Sequence, residues 1–187
     1  MSSAATVEGG ERLRLFLGLR LPDAAAARLA DWQAAHLAGR VVPRDHLHLT
    51  VAFLGPRPAG DVEPVSRALD AAAAVARPPT LLARRYRETR SVGMVVLEDV
   101  GEVATAFVDD VHARLEGLGV YRREARAWLP HVTVLRFRER PGLRAPAPDL
   151  GEVVPSEAAV FLSVLRPSGA QYDVLHSVAL GGSERGS

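Results

Sequence analysis

Short alternating and helical patterns succeed one another along this chain. Residues 12–19 (RLRLFLGL) alternate as a strand does, and Pro22 and Asp23 open an alanine-rich helix to about residue 37, with Asp23 as its expected N-cap. Val41-Val42 reads as a short extended piece, and residues 48–54 (HLTVAFL) as an apolar strand closed by Gly55-Pro56. A helix over about 62–76 tolerates Pro64 because it falls in the first turn. Strands near 80–86 and 92–97, a helix over about 102–118 ended by Gly119, and a strand over 131–137 follow. Residues 141–155 form a loop rich in proline and glycine, before two closing strands near 158–165 and 172–180. Strand, helix, and a strand beginning His-x-Thr thus occur twice. That order predicts an α+β fold of two similar lobes, each with a mainly antiparallel sheet and helices on one face, and a cleft between the sheets. A single bilobal domain is expected over residues 12–180, with residues 1–11 and 181–187 as flexible termini.

Composition narrows the function classes only modestly. The 187 residues are 48% hydrophobic and 24% charged, ordinary for a globular domain. The absence of cysteine excludes disulfides, thiolate metal sites and cysteine nucleophiles. No apolar run approaches the ~20 residues that span a bilayer, and Met1-Ser2-Ser3-Ala4-Ala5 lacks the layout of a signal peptide. The expectation is a cytoplasmic protein with no membrane association, and nothing demands more than a monomer. Net charge is +1, so there is no global pull toward nucleic acid. All 23 basic residues are arginine, which together with abundant alanine and proline reads as codon bias from a GC-rich genome.

The chemistry concentrates in His48-Leu49-Thr50-Val51 and His131-Val132-Thr133-Val134. Six histidines and six threonines would yield only ~0.2 His-x-Thr pairs by chance, yet two occur, both inside apolar strand patterns. Side chains alternate faces along a strand, so His48 shares a face with Thr50, and His131 with Thr133, while the aliphatic residues anchor the opposite face. If the lobes face each other, two imidazoles and two hydroxyls converge. One histidine can take a proton from attacking water and the other give one to a departing oxygen. The threonine hydroxyls can hold non-bridging phosphate oxygens. A strained cyclic phosphate needs no metal for this.

With Arg14-Leu15-Phe16 in the first strand, His48 to Gly55 (HLTVAFLG), Pro130 to Arg136 (PHVTVLR) and a closing strand containing Tyr172, the chain resembles the 2H phosphoesterases over about residues 12–180. Within them it resembles the RNA 2′,3′-cyclic phosphodiesterases, formerly called 2′-5′ RNA ligases. The resemblance implies a bilobal fold with a pseudo-twofold axis, and RNA or a nucleotide ending in 2′,3′-cyclic phosphate as the partner. It implies no metal or cofactor. The reaction it implies breaks the bond to the 3′ oxygen and leaves a 2′-phosphate, with His48 the acid on that oxygen and His131 the base on water. Thr50, Thr133 and Arg136 would bind the phosphate, and some relatives also join RNA ends by a 2′-5′ linkage. Arg136 lies five positions after His131, so strict alternation aims it at the wrong face unless a bulge or the strand end re-aims it.

Other residues invite blander readings. His46 is expected on the same strand face as His48, at the cleft rim. His36 and His112 are expected at the surface or a boundary, Phe53 and Tyr172 in the core, and His176 on the strand face of Tyr172. Trp128 is expected at the cleft mouth or over the lobe interface. Arg84-Arg85 and Arg122-Arg123 read as solvated surface. A metal hydrolase is a poor reading without HExxH or clustered ligands. A non-catalytic pair of RNA-binding lobes would need aromatic sheet faces, whereas aromatics are 5% of the chain. A 2H enzyme acting on another nucleotide or a 2′-5′-linked substrate remains a competitor.

Overall fold

The computed structural model describes residues 12–181, and the expected flexible termini fall outside it apart from Gly181. Apolar alternation builds the strands β1 (Arg12–Arg20), β2 (Arg40–Val41), β3 (His48–Pro58), β4 (Leu81–Glu88), β5 (Val92–Asp99), β6 (His131–Arg136), β7 (Glu152–Val153), β8 (Glu157–Arg166) and β9 (Gly169–Ala179). Between them lie α1 (Asp23–His36), α2 (Val62–Val75) and α3 (Val103–Gly117). Asp23 is not the cap of α1. Pro22 takes that position with an extended backbone, and Asp23 sits in the first turn, where its charge complements the helix dipole.

All the strands join one sheet in the order β7-β4-β5-β6-β3-β1-β8-β9, with β2 on the edge of β6. Every recorded pairing is antiparallel. The two expected sheets are therefore halves of a single curled sheet. The repeated unit is β1-α1-β3 in one half and β5-α3-β6 in the other. The His-x-Thr strands are innermost, and they meet at one recorded pair, Leu49 opposite Val132. One face of the sheet (Leu17, Leu49, Val51, Val95, Val132, Val134) packs on helix residues including Leu29, Leu69, Val111 and Leu115, all buried. The other carries a small aromatic cluster of Phe16, Phe161 and Tyr172. Among the described residues, no helix is long and apolar enough to cross a membrane.

Register shifts interrupt this regularity where the site begins. In β3, Thr50 pairs with Gly18 and Ala52 with Leu17, leaving Val51 as an extra residue. In β6, Thr133 pairs with Met94 and Leu135 with Gly93, leaving Val134 extra. The bulge thus falls on the fourth residue of each tetrad. Val51 and Ala52 are both buried, as are Val134 and Leu135, so the face pattern flips after each bulge. A second shift at Leu54 and the positive φ of Gly55 (68°) carry β3 on to Pro58 rather than ending it at Gly55-Pro56.

At each bulge a buried polar side chain from a helix bonds the carbonyl of the extra residue, and that of Val134 also accepts from the Val42 amide at 3.0 Å. His112 of α3 donates from Nε2 to the Val51 carbonyl at 2.7 Å. Gln33 of α1 donates from Nε2 to the Val134 carbonyl at 2.9 Å and to that of Val42 at 3.0 Å. His112 is 5% exposed, so the expectation that it lies at the surface or a boundary is overturned. Replacing His112 by leucine strands the Val51 carbonyl, and replacing Gln33 strands that of Val42; each is expected to cost about 1–3 kcal/mol. A lowered urea midpoint at unchanged slope would show it, with the exposed His36→Leu staying within ~0.5 kcal/mol as control. An unshifted midpoint in both would refute the bulge-capping role.

Candidate functional site

Each histidine of the two tetrads is held the same way. His48 donates from Nδ1 to the carbonyl of His46 at 2.7 Å, and His131 donates from Nδ1 to the carbonyl of Leu129 at 2.8 Å. A carbonyl can only accept, so both neutral rings carry the proton on Nδ1 and present Nε2 as a free base. In His48 that Nε2 accepts from the Thr50 hydroxyl at 3.1 Å. Continuing the antiparallel register by one residue from Leu49–Val132 sets His48 opposite Thr133 and Thr50 opposite His131. The four residues thus form a quadrilateral on one face, with the pseudo-twofold passing through the Leu49–Val132 pair.

Beneath His48 lies Gly18 of β1. A Cβ there would stand 3.0 Å from the Leu49 carbonyl and 3.3 Å from the His48 ring, so a glycine inside an apolar strand marks this close approach. Phe16 packs at 4.9 Å from the His48 ring and Tyr172 meets it edge-on at 5.5 Å. Trp128 donates from Nε1 to the Thr50 carbonyl at 2.9 Å, fastening β3 to the segment leading into β6. Burial holds the basicity of His48 down, to a pKa of about 4. The hydrogen bond to His46 opposes the shift, and positive charge from Arg136, His131 and His46 adds to it.

A cavity of about 340 Å³ opens beside this ring, lined among others by His48, Thr50, Phe53, Tyr172 and four arginines, Arg14, Arg40, Arg136 and Arg166. The bulge at Val134 re-aims Arg136 into it, next to Arg40, with which it is paired across β2 and β6. The matching bulge at Val51 does the same for Phe53, five residues after His48 as Arg136 is after His131. Phe53 is accordingly 49% exposed rather than core, and the Arg14 guanidinium lies 4.7 Å over its ring. Tyr172 lines the cavity instead of filling the core. His131 and Thr133 are on the neighbouring strand, and they are not among the residues lining the cavity itself.

Several other expectations are corrected or placed. His46 belongs to a 3-10 turn ahead of β3, and its ring rests 4.7 Å from Tyr172. His176 leaves the face of Tyr172 because Leu175 is an extra residue in β9, and it pairs with Asp70 of α2 at 2.6 Å. His36 is exposed beside Trp32. Arg84 pairs with Glu98 and Arg123 with Asp109, as solvated ion pairs. Arg40, Ser163 and Arg166 were not legible, since they reach the cavity from β2 and β8, strands other than those of the tetrads. Arg14 served only as a landmark of resemblance. Among the described residues no cluster of three or more His, Cys, Asp or Glu is placed to hold a metal.

Known proteins resemble this chain in fold and, over part of its length, in sequence. Residues 19–87, which include the first tetrad, match the family model of the LigT like phosphoesterases. A stretch of 48 residues, 24% of this chain, is 46% identical to the RNA 2′,3′-cyclic phosphodiesterase of Escherichia coli K12 and spans about a quarter (27%) of that protein's length. The crystal structure of E. coli LigT complexed with NADP+ superposes with a TM-score of 0.76 at 25% identity, covering 91% of this chain and 98% of that one. A protein of Thermus thermophilus does so with a TM-score of 0.72 at 28% identity, over 91% and 100%. Sequence in the first half and fold over nine-tenths of its length agree: the chain resembles the LigT like phosphoesterases over residues 19–87 and shares the fold of E. coli LigT.

Proposed function

We propose that this protein hydrolyses RNA 2′,3′-cyclic phosphate ends to 2′-phosphate ends by two-histidine acid–base catalysis without a metal. The observation that carries the reading is the pair of His-x-Thr faces set against each other across the Leu49–Val132 junction, each imidazole held through Nδ1 with Nε2 left for chemistry. Thr50 and Thr133 are the hydroxyls within reach of non-bridging oxygens, and Arg136 offers the bidentate donor for the phosphate. The low aromatic content and the occupation of Phe16 and Phe161 by mutual stacking at 4.7 Å leave little of the platform a purely RNA-binding sheet would need.

The lowered basicity of His48 bears on which histidine does what. With a pKa of about 4, only roughly a thousandth of His48 is protonated near neutrality, a handicap of about 4 kcal/mol for an acid. As a base His48 has its neutral ring as the abundant form, although the same low pKa makes it a weaker base. His48 is therefore assigned to the attacking water and His131 to the departing 3′ oxygen, the reverse of what the resemblance implies.

Hydrolysis of a short RNA with a 2′,3′-cyclic end, assayed with EDTA present, is expected to fall by about 10²–10⁴ in His48→Ala and in His131→Ala. Loss of all wild-type turnover on chelation, restored only by a divalent ion, would sink the metal-free mechanism. The order of roles is read with a substrate carrying sulfur in place of the leaving 3′ oxygen, which departs without a donated proton. That substrate should rescue His131→Ala and not His48→Ala, and the opposite rescue would restore the other order. In the free enzyme the acid limb of kcat/KM is expected near the depressed His48 value of about 4, with His48 neutral and competent above it. An NMR titration of the His48 ring with its midpoint at the ordinary imidazole value would contradict this.

A further inference from the structure

The cavity holds more positive charge than one cyclic phosphate can answer. Arg14, Arg40, Arg136 and Arg166 line it, and no carboxylate does. Among the described residues none of the four takes part in an ion pair, whereas Arg20, Arg57, Arg84, Arg114, Arg123 and Arg140 all do. A cyclic phosphodiester brings a single negative charge, and Arg136 beside His48 suffices to meet it.

The unanswered cations sit at a definite place. Arg136 and its neighbour Arg40 belong to the half of the sheet that carries His131. Arg14 and Arg166 belong to the other half, on β1 and β8. Thr50 is opposite Gly18, and Arg14 lies four residues further along β1, roughly 13 Å at ~3.3 Å per residue. The long arginine side chain covers part of that distance. Leu15 pairs with Leu162, so the next register position sets Arg14 beside Ser163.

Both of these side chains are prepared for a ligand. Arg14 Nε is the one buried side-chain nitrogen or oxygen without a hydrogen-bond partner among the described residues. The Arg14 guanidinium is held over the Phe53 ring at 4.7 Å, which fixes its plane. Ser163 is only 8% exposed, lines the cavity and has no hydrogen bond among the described residues. An orphaned buried donor is costly unless something accepts from it.

We propose that Arg14, Ser163 and Arg166 form a second phosphate subsite, which receives the phosphate on the 5′ side of the nucleotide bearing the cyclic phosphate. The inference rests on the phosphodiesterase reading above and names its substrate class more closely. A 2′,3′-cyclic phosphate occupies the 3′ end of a chain, so the only neighbouring phosphate lies on the 5′ side. The subsite therefore selects a phosphorylated nucleotide or an RNA end over a bare nucleoside cyclic phosphate. Phe53, exposed beside Arg14, covers the ground between the two phosphates.

The test compares two substrates that differ by one group: adenosine 2′,3′-cyclic phosphate with a 5′-hydroxyl, and the same nucleotide with a 5′-phosphate. Wild type is expected to favour the 5′-phosphorylated one in kcat/KM by about tenfold or more. Arg14→Gln and Arg166→Gln are each expected to pull that ratio toward one, and Arg14→Lys, which keeps charge but loses the planar fork, to restore it only in part. A ratio near one in wild type, or a ratio untouched by Arg14→Gln in a protein whose melting is unchanged, would overturn the subsite. Turnover of neither substrate by folded wild type would instead strike the phosphodiesterase reading. Calorimetric binding of adenosine 2′-phosphate with and without a 5′-phosphate then decides the subsite by the same ratio and the same substitutions.

Discussion

An extra residue in a β-strand bends the chain and interrupts its ladder, and this protein inserts one at the last position of each His-x-Thr tetrad. Behind the sheet His112 bonds the Val51 carbonyl, and Gln33 joins the Val42 amide in bonding that of Val134. Much else follows from that. The histidine and threonine keep the outward face, the two residues spanning the bulge stay in the core, and the face pattern then inverts. Phe53 in one half and Arg136 in the other come round to the side of the imidazoles. Each bulge is capped across the pseudo-twofold, since α1 follows β1 but serves β6, and α3 follows β5 but serves β3. The helices therefore lock the two halves together as well as covering them.

Charge is treated in opposite ways on the two sides of the structure. Glu88 is nearly buried, and burial alone would raise its carboxyl. Its contacts with the Leu143 amide, Arg140, Tyr86 and the Gly142 amide outweigh this and hold it below the usual range. It pins the loop that follows β6 and leaves no charge unmet. The cavity arginines have no such partners. The charge of Arg136 adds to desolvation in holding His48 neutral, and the unpaired guanidiniums favour an anion over any neutral ligand. A buried acid satisfied from all sides stabilises the fold, while unpaired cations around a wet cavity are kept for what binds there.

The chemistry of the quadrilateral depends on small residues and fixed tautomers more than on strong interactions. Gly18 lets the His48 ring come close to β1, Phe16 and Tyr172 wall it in, and the carbonyl of His46 chooses which nitrogen carries the proton. The Leu129 carbonyl does the same for His131. Two imidazoles from strands that share one recorded pair can thus face a common substrate, although 83 positions separate them in the chain.

Local pattern was enough to place the three helices and every strand but β7, which lies inside the expected loop, because period-2 and period-3.6 burial is written residue by residue. It was enough to nominate His48, Thr50, His131 and Thr133, because a strand places i and i+2 on one face whatever it pairs with. It also raised the conflict at Arg136, and a bulge was the correct form of answer. Only the tertiary structure decided where the bulges fall, since a bulge is a property of two strands in register and neither strand shows it alone. For that reason Phe53 was misplaced in the core, His176 on the face of Tyr172, and His112 at the surface. The gathering of Arg14, Arg40, Ser163 and Arg166 around one cavity was equally invisible. Those residues come from strands far apart in sequence, and the curl of the sheet, set by core packing behind it, brings them to the same space.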